Sequence, residues 1–228
     1  GGTFKNYVPP KEPPAPKERK LLLPDVTENC EEVRKYLQGR GIHPTIIDYC
    51  IANKLLFQTA NYNNALFVGY DSEGKPRYGA LRSTFSAYKS EATGSDKRYS
   101  FSIATNPTAD TVHVFESAID LLSYATLQLY EGGDWKNALL LSLAGVFAPK
   151  RQGVVPVALS RFLSENPNIK TLRLHLDNDE VGRAAAAGII EGLIGYTVVN
   201  EPPACGKDVN EQLQMKVGLT KKKEDRDR

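Results

Sequence analysis

Residues 171–193, TLRLHLDNDEVGRAAAAGIIEGL, decide the fold class. Leu172, Leu174 and Leu176 alternate with Arg173 and His175, which is the two-residue period of a strand. Asp177, Asn178 and Asp179 end that alternation, and an alanine-rich run of helical composition follows. A strand that passes directly into a helix is half of a crossover unit. Two carboxylates at such a junction can cap the helix, hold a cation, or do both.

The same unit recurs on either side. TVHVF leads into SAIDLLSYATLQLY, ALLLSL into VPVALSRFLSE, and GYTVV into DVNEQLQM. Repeated strand–helix units from about residue 110 predict a parallel sheet with helices on its faces. Upstream the pattern changes. ENCEEVRKYLQGRG and HPTIIDYCIANK read as a helical hairpin broken at Gly39 to Gly41, with Pro44 in the first turn of the second helix. KLLFQ, NALFVGYD, PRYGALRST and RYSFSI read as short antiparallel strands, with DSEGKP as a hairpin turn. The expected class is α/β, a parallel sheet preceded by a small α+β module.

Six of the fourteen prolines fall in residues 1–24, mixed with lysine and glutamate, and this composition favours an extended linker over a packed core. The expectation is that something precedes such a linker. The last residues, KKKEDRDR, read as a solvated tail. Formal charge is only +2 over 228 residues, so a nucleic-acid partner requires clustered cations rather than a globally basic chain. Three widely spaced cysteines without a C-x-x-C pair argue against a disulfide framework and an internal zinc ribbon. No run of about 18 apolar residues and no signal-peptide pattern is present, and the expected setting is the cytoplasm.

Ligands of open parallel sheets sit outside the carboxyl ends of the strands. Glu116 in VFESAIDLL, Asp177 with Asp179, and Asp208 in CGKDVNEQL stand at three such ends. Neighbouring strands lie about 4.8 Å apart, which places acids from adjacent ends within reach of one divalent ion. Asp179 also suits an N-cap, and Ser117 with Asp120 fits the capping-box spacing, so for these two residues capping and metal ligation both stand. Glu116 precedes the capping serine and has no such alternative.

VFESAID, LDNDEVGRAA and GKDVNEQL, in that order, resemble the Toprim domain of DnaG-type primases, topoisomerases and some nucleases, with the DnaG-like branch most similar. YLQGRGIHPTIIDYCIANKLL, NALFVGYDSEGKPRYGALRST and GSDKRYSFSI resemble the domain of unknown function that precedes Toprim in primase-like proteins of bacterial mobile elements. The resemblance implies a linker at 1–24, a primase-like α+β domain at 25–108, a Rossmann-like Toprim domain at 109–220 and a tail at 221–228. It implies that Glu116 assists proton transfer, that Asp177 and Asp179 hold Mg2+ or Mn2+, and that Glu116, Asp120 and Asp208 complete the metal set. Where primases read Lys-Asp-Pro-Asp, this chain has Lys207-Asp208-Val209-Asn210, so Asn210 stands for a carboxylate and a second metal is expected to bind less well. A zinc-binding module often precedes such proteins and is not within these residues.

Arg82, Lys89, Lys97 and Arg98 lie among Phe85, Tyr88 and Tyr99, a mixture that suits phosphate contact and base stacking on a single strand and equally suits a solvated hairpin. The resemblance favours function, and Lys207 joins these four as a nucleic-acid or nucleotide contact. Gly94 reads as a turn, with close approach to phosphate as the alternative. His43, His113 and His175 share no ligand spacing, and His113 and His175, on expected inner strands, read as satisfied core or edge histidines. Gly182 and the run Ala184–Ala187 read as close helix–sheet packing. The function implied is metal-dependent phosphoryl transfer on nucleic acid, foremost primer synthesis from nucleotides on single-stranded DNA. A Toprim nuclease and a non-catalytic nucleic-acid-binding module are the alternatives.

Overall fold

The computed structural model describes residues 20–146 and 153–219, so most of the 1–24 stretch and the 221–228 tail lie outside the described residues. Two sheets form, one antiparallel and one mainly parallel. The first runs β1 (Val26–Thr27), β2 (Leu56–Thr59), β3 (Ala65–Tyr70), β4 (Pro76–Arg82) and β5 (Lys89–Glu91), in chain order and antiparallel throughout. Between β1 and β2 stand α1 (Glu31–Gly39) and α2 (Pro44–Ala52), the expected hairpin. Pro44 opens α2 because its missing N–H is not needed there, and the His43 side chain accepts the Thr45 N–H as a cap.

The second sheet has the order β10-β9-β7-β8-β6. Its parallel members are β7 (Thr111–Phe115), β8 (Leu139–Ser142), β9 (Thr171–His175) and β10 (Thr197–Asn200), and β6 (Ser102–Ile103) adds an antiparallel edge. The crossovers are α3 (Ala118–Tyr130), α4 (Val157–Glu165) and α5 (Glu180–Gly192), and α6 (Val209–Lys216) follows β10. Among the parallel strands, chain order starts in the middle of the sheet. From β7 the path goes to β8 on one side and then to β9 on the other, so β7 and β9 flank a topological switch point.

One of the expected strands is corrected. RYSFSI is not part of the antiparallel sheet: Lys97–Tyr99 form a 3-10 turn, capped by the Asp96 carboxylate on the Arg98 N–H, and the following residues pair with β8. Pairing partners decided this, because the Phe101 carbonyl accepts the Ser142 N–H at 2.9 Å and the Ser100 hydroxyl donates to the Ser142 carbonyl. Gly94 adopts φ +79°, and its close approach is to the chain itself: a Cβ there would meet the Lys20 carbonyl at 2.1 Å. Residues next to it are bridged by the Leu22 N–H on the Thr93 carbonyl.

The alternation of β7 sends its side chains to two cores. Val112 and Val114 join Leu139, Leu141, Leu172 and Leu174 under α4 and α5. Phe115 faces the other way and joins α3, α6, the α1–α2 hairpin and Phe67 of the antiparallel sheet in one continuous core. Phe67 meets Phe101 edge to face at 5.5 Å, so apolar packing ties the two sheets together.

Asn210, the position expected to weaken a second metal, proves to be a tie in this packing. It is 1% exposed; its Nδ2 donates to the Arg40 carbonyl at 3.0 Å and the Ser123 hydroxyl at 2.9 Å, and its Oδ1 accepts from Arg40 Nε at 3.0 Å. A carboxylate cannot donate to those oxygens. Asn210→Asp is therefore expected to lower stability by roughly 1–3 kcal/mol, the scale of a buried hydrogen-bond partner left unmet. Urea unfolding of this variant beside Asn210→Ala measures it, and equal stability of Asn210→Asp and the parent chain refutes the tie.

Candidate active site

The switch point collects the acids. Glu116 follows the last residue of β7 and Asp177 lies two residues beyond β9, and Glu116 Oε1 accepts the Asp177 N–H at 3.1 Å. Asp179 caps α5 by accepting the Gly182 N–H at 2.8 Å, and Asp208 caps α6 by accepting the Glu211 N–H at 2.7 Å. The capping reading of Asp179 thus describes its geometry, and a helix N-terminus stabilises such a carboxylate in its charged form. Gly182 is required at this junction: a Cβ there would sit 2.1 Å from the Asp177 carbonyl and 3.0 Å from Glu116 Oε1. Asp120 is buried one turn beyond Glu116. It accepts the Asn210 N–H at 3.2 Å, and its second oxygen meets the Ser117 hydroxyl.

Glu116, Asp120, Asp177 and Asp208 line one wall of a cleft of about 420 Å³ together with Lys207. The facing wall comes from the antiparallel sheet, where Arg82 and Lys89 pair across β4 and β5, and from Arg40 at the end of α1. Ala144 and Gly145, both at positive φ after β8, close one end with backbone, and the Gly145 N–H donates to the Glu116 carbonyl at 2.8 Å. Of the basic residues named from sequence, Arg82, Lys89 and Lys207 reach this cleft. Lys97 stands at its rim, 3.2 Å from Glu91 and donating to the Ala144 carbonyl at 3.3 Å. Arg98 forks onto Asp96.

Tyr99 does not present itself for stacking as the sequence suggested, because its ring already packs against the guanidinium groups of Arg77 and Arg161 at 4.8 and 4.9 Å. Phe85 and Tyr88 are exposed beside β4 and β5. Arg40 and the Ala144–Gly145 turn escaped the sequence reading. Arg40 sat inside a stretch read only as a helix end, and the one local signal for the turn was an Ala-Gly step after an apolar strand.

His113 and His175 are not among the residues that line the cleft, and they hydrogen-bond to each other as satisfied structural histidines. His113 Nδ1 lies 2.8 Å from His175 Nε2, Tyr124 Oη lies 3.3 Å from His113 Nε2, and His175 Nδ1 lies 3.1 Å from the Glu201 carbonyl. A carbonyl only accepts, so His175 carries its proton on Nδ1 and His113 donates to it. Burial pushes both well down, to about 3 for His113 and about 4 for His175.

Burial and like charge act in the opposite sense on the acids. Asp177 is pushed up to about 7, first by burial and then by Glu116 and Asp208; Asp120 rises to about 6 through burial and Asp208. Burial also raises Glu116, whereas the Gly182 N–H lowers Asp179. Lys207 Nζ stands 3.6 Å from Asp177 and 3.3 Å from Asp179 and partly offsets the repulsion. Among the described residues no three His, Cys, Asp or Glu side chains already stand as a metal cage. The donor set nonetheless suits a hard cation, because Mg2+ takes one or two carboxylates and completes its shell with water and substrate phosphate. Crowded carboxylates with raised proton affinity are what a divalent cation would relieve.

Residues 113–213 match the family described as Toprim-like, and residues 35–106 match a family described as a protein of unknown function, DUF3991. Over 169 residues the chain is 31% identical to the uncharacterized protein pXO2-78 of Bacillus anthracis, an alignment covering 70% of this chain and 47% of that protein. The chain thus spans about half the length of this curated relative. Among solved structures it is similar to the RNA polymerase domain of Mycobacterium tuberculosis primase DnaG, with a TM-score of 0.54, 16% identity, and coverage of 85% of this chain and 74% of that one. It is also similar to a DnaG primase catalytic domain bound to ssDNA, with a TM-score of 0.51, 13% identity, and coverage of 83% and 71%. The chain thus carries a Toprim-like region, preceded by a DUF3991 match, and its fold is primase-like. No helix of the described residues is long and apolar enough to cross a membrane.

The raised Asp177 gives a pH test. The folded chain keeps its proton up to about pH 7, whereas an unfolded aspartate loses it near the ordinary 3.8. Stability from this group is therefore complete below the unfolded value and is lost as pH rises towards 7, at up to about 1.4 kcal/mol per pH unit. The neutral histidines slope the other way over part of that range, so the readout is a difference. Asp177→Asn keeps the N–H to Glu116 and is expected to gain on the parent chain steadily from pH 4 to 7 in thermal melts. Parallel pH profiles would refute the raised proton affinity of Asp177 that burial and its acidic neighbours impose.

Proposed function

We propose that the cleft performs metal-dependent nucleotidyl transfer, with primer synthesis on single-stranded DNA as the reading the geometry supports best. The observation that carries it is the meeting of Glu116 and Asp177 at the switch point, across one cleft from Arg82 and Lys89. Asp177 and Asp179, with Glu116 beside them, would hold Mg2+ or Mn2+, and Asp120 and Asp208 stand behind them on the same wall. When bound, the cation supplies Lewis acidity to phosphate oxygens and lowers the pKa of an attacking hydroxyl.

The chain's own residues do the rest. Glu116, with its raised proton affinity, accepts the proton of a primer 3′-hydroxyl at its free carboxylate oxygen, while Oε1 stays on the Asp177 N–H. Arg82 and Lys89 bind phosphates from the opposite wall, and Lys207 lies at the acid side. Lys97 and Arg98 extend this basic surface outside the cleft, and exposed Phe85 and Tyr88 offer rings to unpaired bases. The solved primase domain bound to ssDNA supports a single strand as template. A zinc-binding module as a partner and a cytoplasmic setting remain part of this reading.

The test incubates the chain with single-stranded DNA, labelled nucleotides and Mg2+ or Mn2+. Template-dependent labelled products are expected, and Glu116→Gln, which retains the acceptor for Asp177, should lower their rate at least about a hundredfold while its melting temperature stays at or above that of the parent chain. Equal rates in the variant overturn the role of Glu116. Strand scission without nucleotides would instead favour a nuclease, and metal-indifferent binding without products a non-catalytic module.

A further inference from the structure

Lys207 occupies the place a divalent cation would need. Its ammonium lies 3.6 Å from Asp177 Oδ2 and 3.3 Å from Asp179 Oδ2, the two carboxylates assigned to metal in the proposed function. A divalent cation held by those oxygens would stand almost in contact with it, and the two positive charges would repel at that short range. Only one of them fits at a time.

The backbone fixes where this lysine starts from and leaves the side chain free to move. The Lys207 carbonyl accepts the Asn178 N–H at 2.6 Å, and its own N–H donates to Glu211 Oε2 at 2.7 Å. Gly206 at φ +77° makes the turn, where a Cβ would meet Glu211 at 2.8 Å. The Lys207 backbone is thus stapled to the Asp177–Asp179 loop, while the side chain itself is 55% exposed and ion-paired with Asp177 and Asp179. Solvated pairs of this kind are weak and exchange readily. Beyond the acid wall of Glu116, Asp120 and Asp208 the cleft is lined by Arg40, Arg82 and Lys89, and its remaining acid, Glu91, already pairs with Lys97, so an ammonium displaced towards that side meets cations. It adds to a ring of cations facing inward.

We infer that Lys207 is a built-in counter-ion that closes the Asp177–Asp179 pair in the metal-free protein, and that arrival of the divalent cation releases it into the cleft as a phosphate contact. Metal and polyphosphate binding are then coupled through one side chain: the metal frees the ammonium, and the polyphosphate neutralises it. By reciprocity, polyphosphate must tighten metal binding by the same factor. This inference rests on the metal-dependent reading of the same site and names the order in which that site fills.

The experiment is calorimetric and needs no turnover. Mn2+ alone, inorganic tripolyphosphate alone, and tripolyphosphate in the presence of saturating Mn2+ are titrated into the chain and into Lys207→Met, which keeps the stem and removes the charge. Without anion, Lys207→Met should bind Mn2+ at least about fivefold more tightly, because its competitor is gone. Saturating Mn2+ should strengthen tripolyphosphate binding to the parent chain more than to Lys207→Met, after the contribution of Mn2+–tripolyphosphate complexes in buffer is subtracted. Lys207→Arg, which retains the charge, should keep the weaker Mn2+ binding of the parent. Equal Mn2+ affinities in the parent chain and Lys207→Met overturn the counter-ion role while leaving the metal site intact. Failure of both to bind Mn2+ overturns the metal site and this inference together. Far-UV spectra and melting temperatures of the variants check the fold, and Lys207→Gln serves if Lys207→Met is unstable.

Discussion

The parallel pairing of β7 with β9 is the constraint on which the rest depends. Residues Thr111–Phe115 and Thr171–His175 run side by side in register, although two crossovers and the whole of β8 separate them in the chain. A parallel pair cannot be closed by a tight turn, so α3, β8 and α4 must be laid down before β9 can dock. Once it docks, both strands end at one level, and Glu116 receives the Asp177 N–H. Every other feature of the acid wall follows from those two ends: Asp179 capping α5, Gly182 allowing α5 to start against the Asp177 carbonyl, and Asp208 arriving after β10 on the other side of β9.

A cleft needs a second wall, and that wall is held by the shared apolar core. Phe115 points from the centre of the parallel sheet into a cluster that includes α1, α2 and Phe67, so the antiparallel sheet is packed rather than tethered. Close backbone approach secures the seam: a Cβ on Gly69 would fall 1.8 Å from the Tyr99 carbonyl. Tyr99, gripped by Arg77 and Arg161, joins β4 to α4 across it. Asn210 does the same between α6 and the end of α1. The basic residues of β4 and β5 therefore meet the acids at a fixed spacing set by buried contacts, and not by attraction across the cleft.

Electrostatics in this cleft are poised rather than satisfied. The carboxylates raise one another's proton affinity, and the ammonium of Lys207 compensates only in part. Elsewhere burial of ionisable groups is settled by hydrogen bonds, as in the Tyr124–His113–His175 chain that ends on the Glu201 carbonyl. The contrast separates a structural polar network from a site with unspent charge.

Much of this was legible in the chain itself. Period-two alternation followed by helical runs determined the crossover units, Ser117, Asp179 and Asp208 announced the helix starts, and acids after apolar strands marked the ends that matter, because each signal is local. What only the tertiary structure decided is non-local. RYSFSI has strand-like composition, yet its neighbours made residues 97–99 a turn and gave residues 102–103 to the other sheet. Tyr99 and Arg98 looked equal to Arg82 and Lys89 until packing turned the latter pair into the cleft and engaged the former with Asp96, Arg77 and Arg161. Asn210 looked like a lost ligand and is a buried tie, and Arg40 gave no signal at all, since a side chain's partner far along the sequence is chosen by the sheet order and not by its neighbours in the chain.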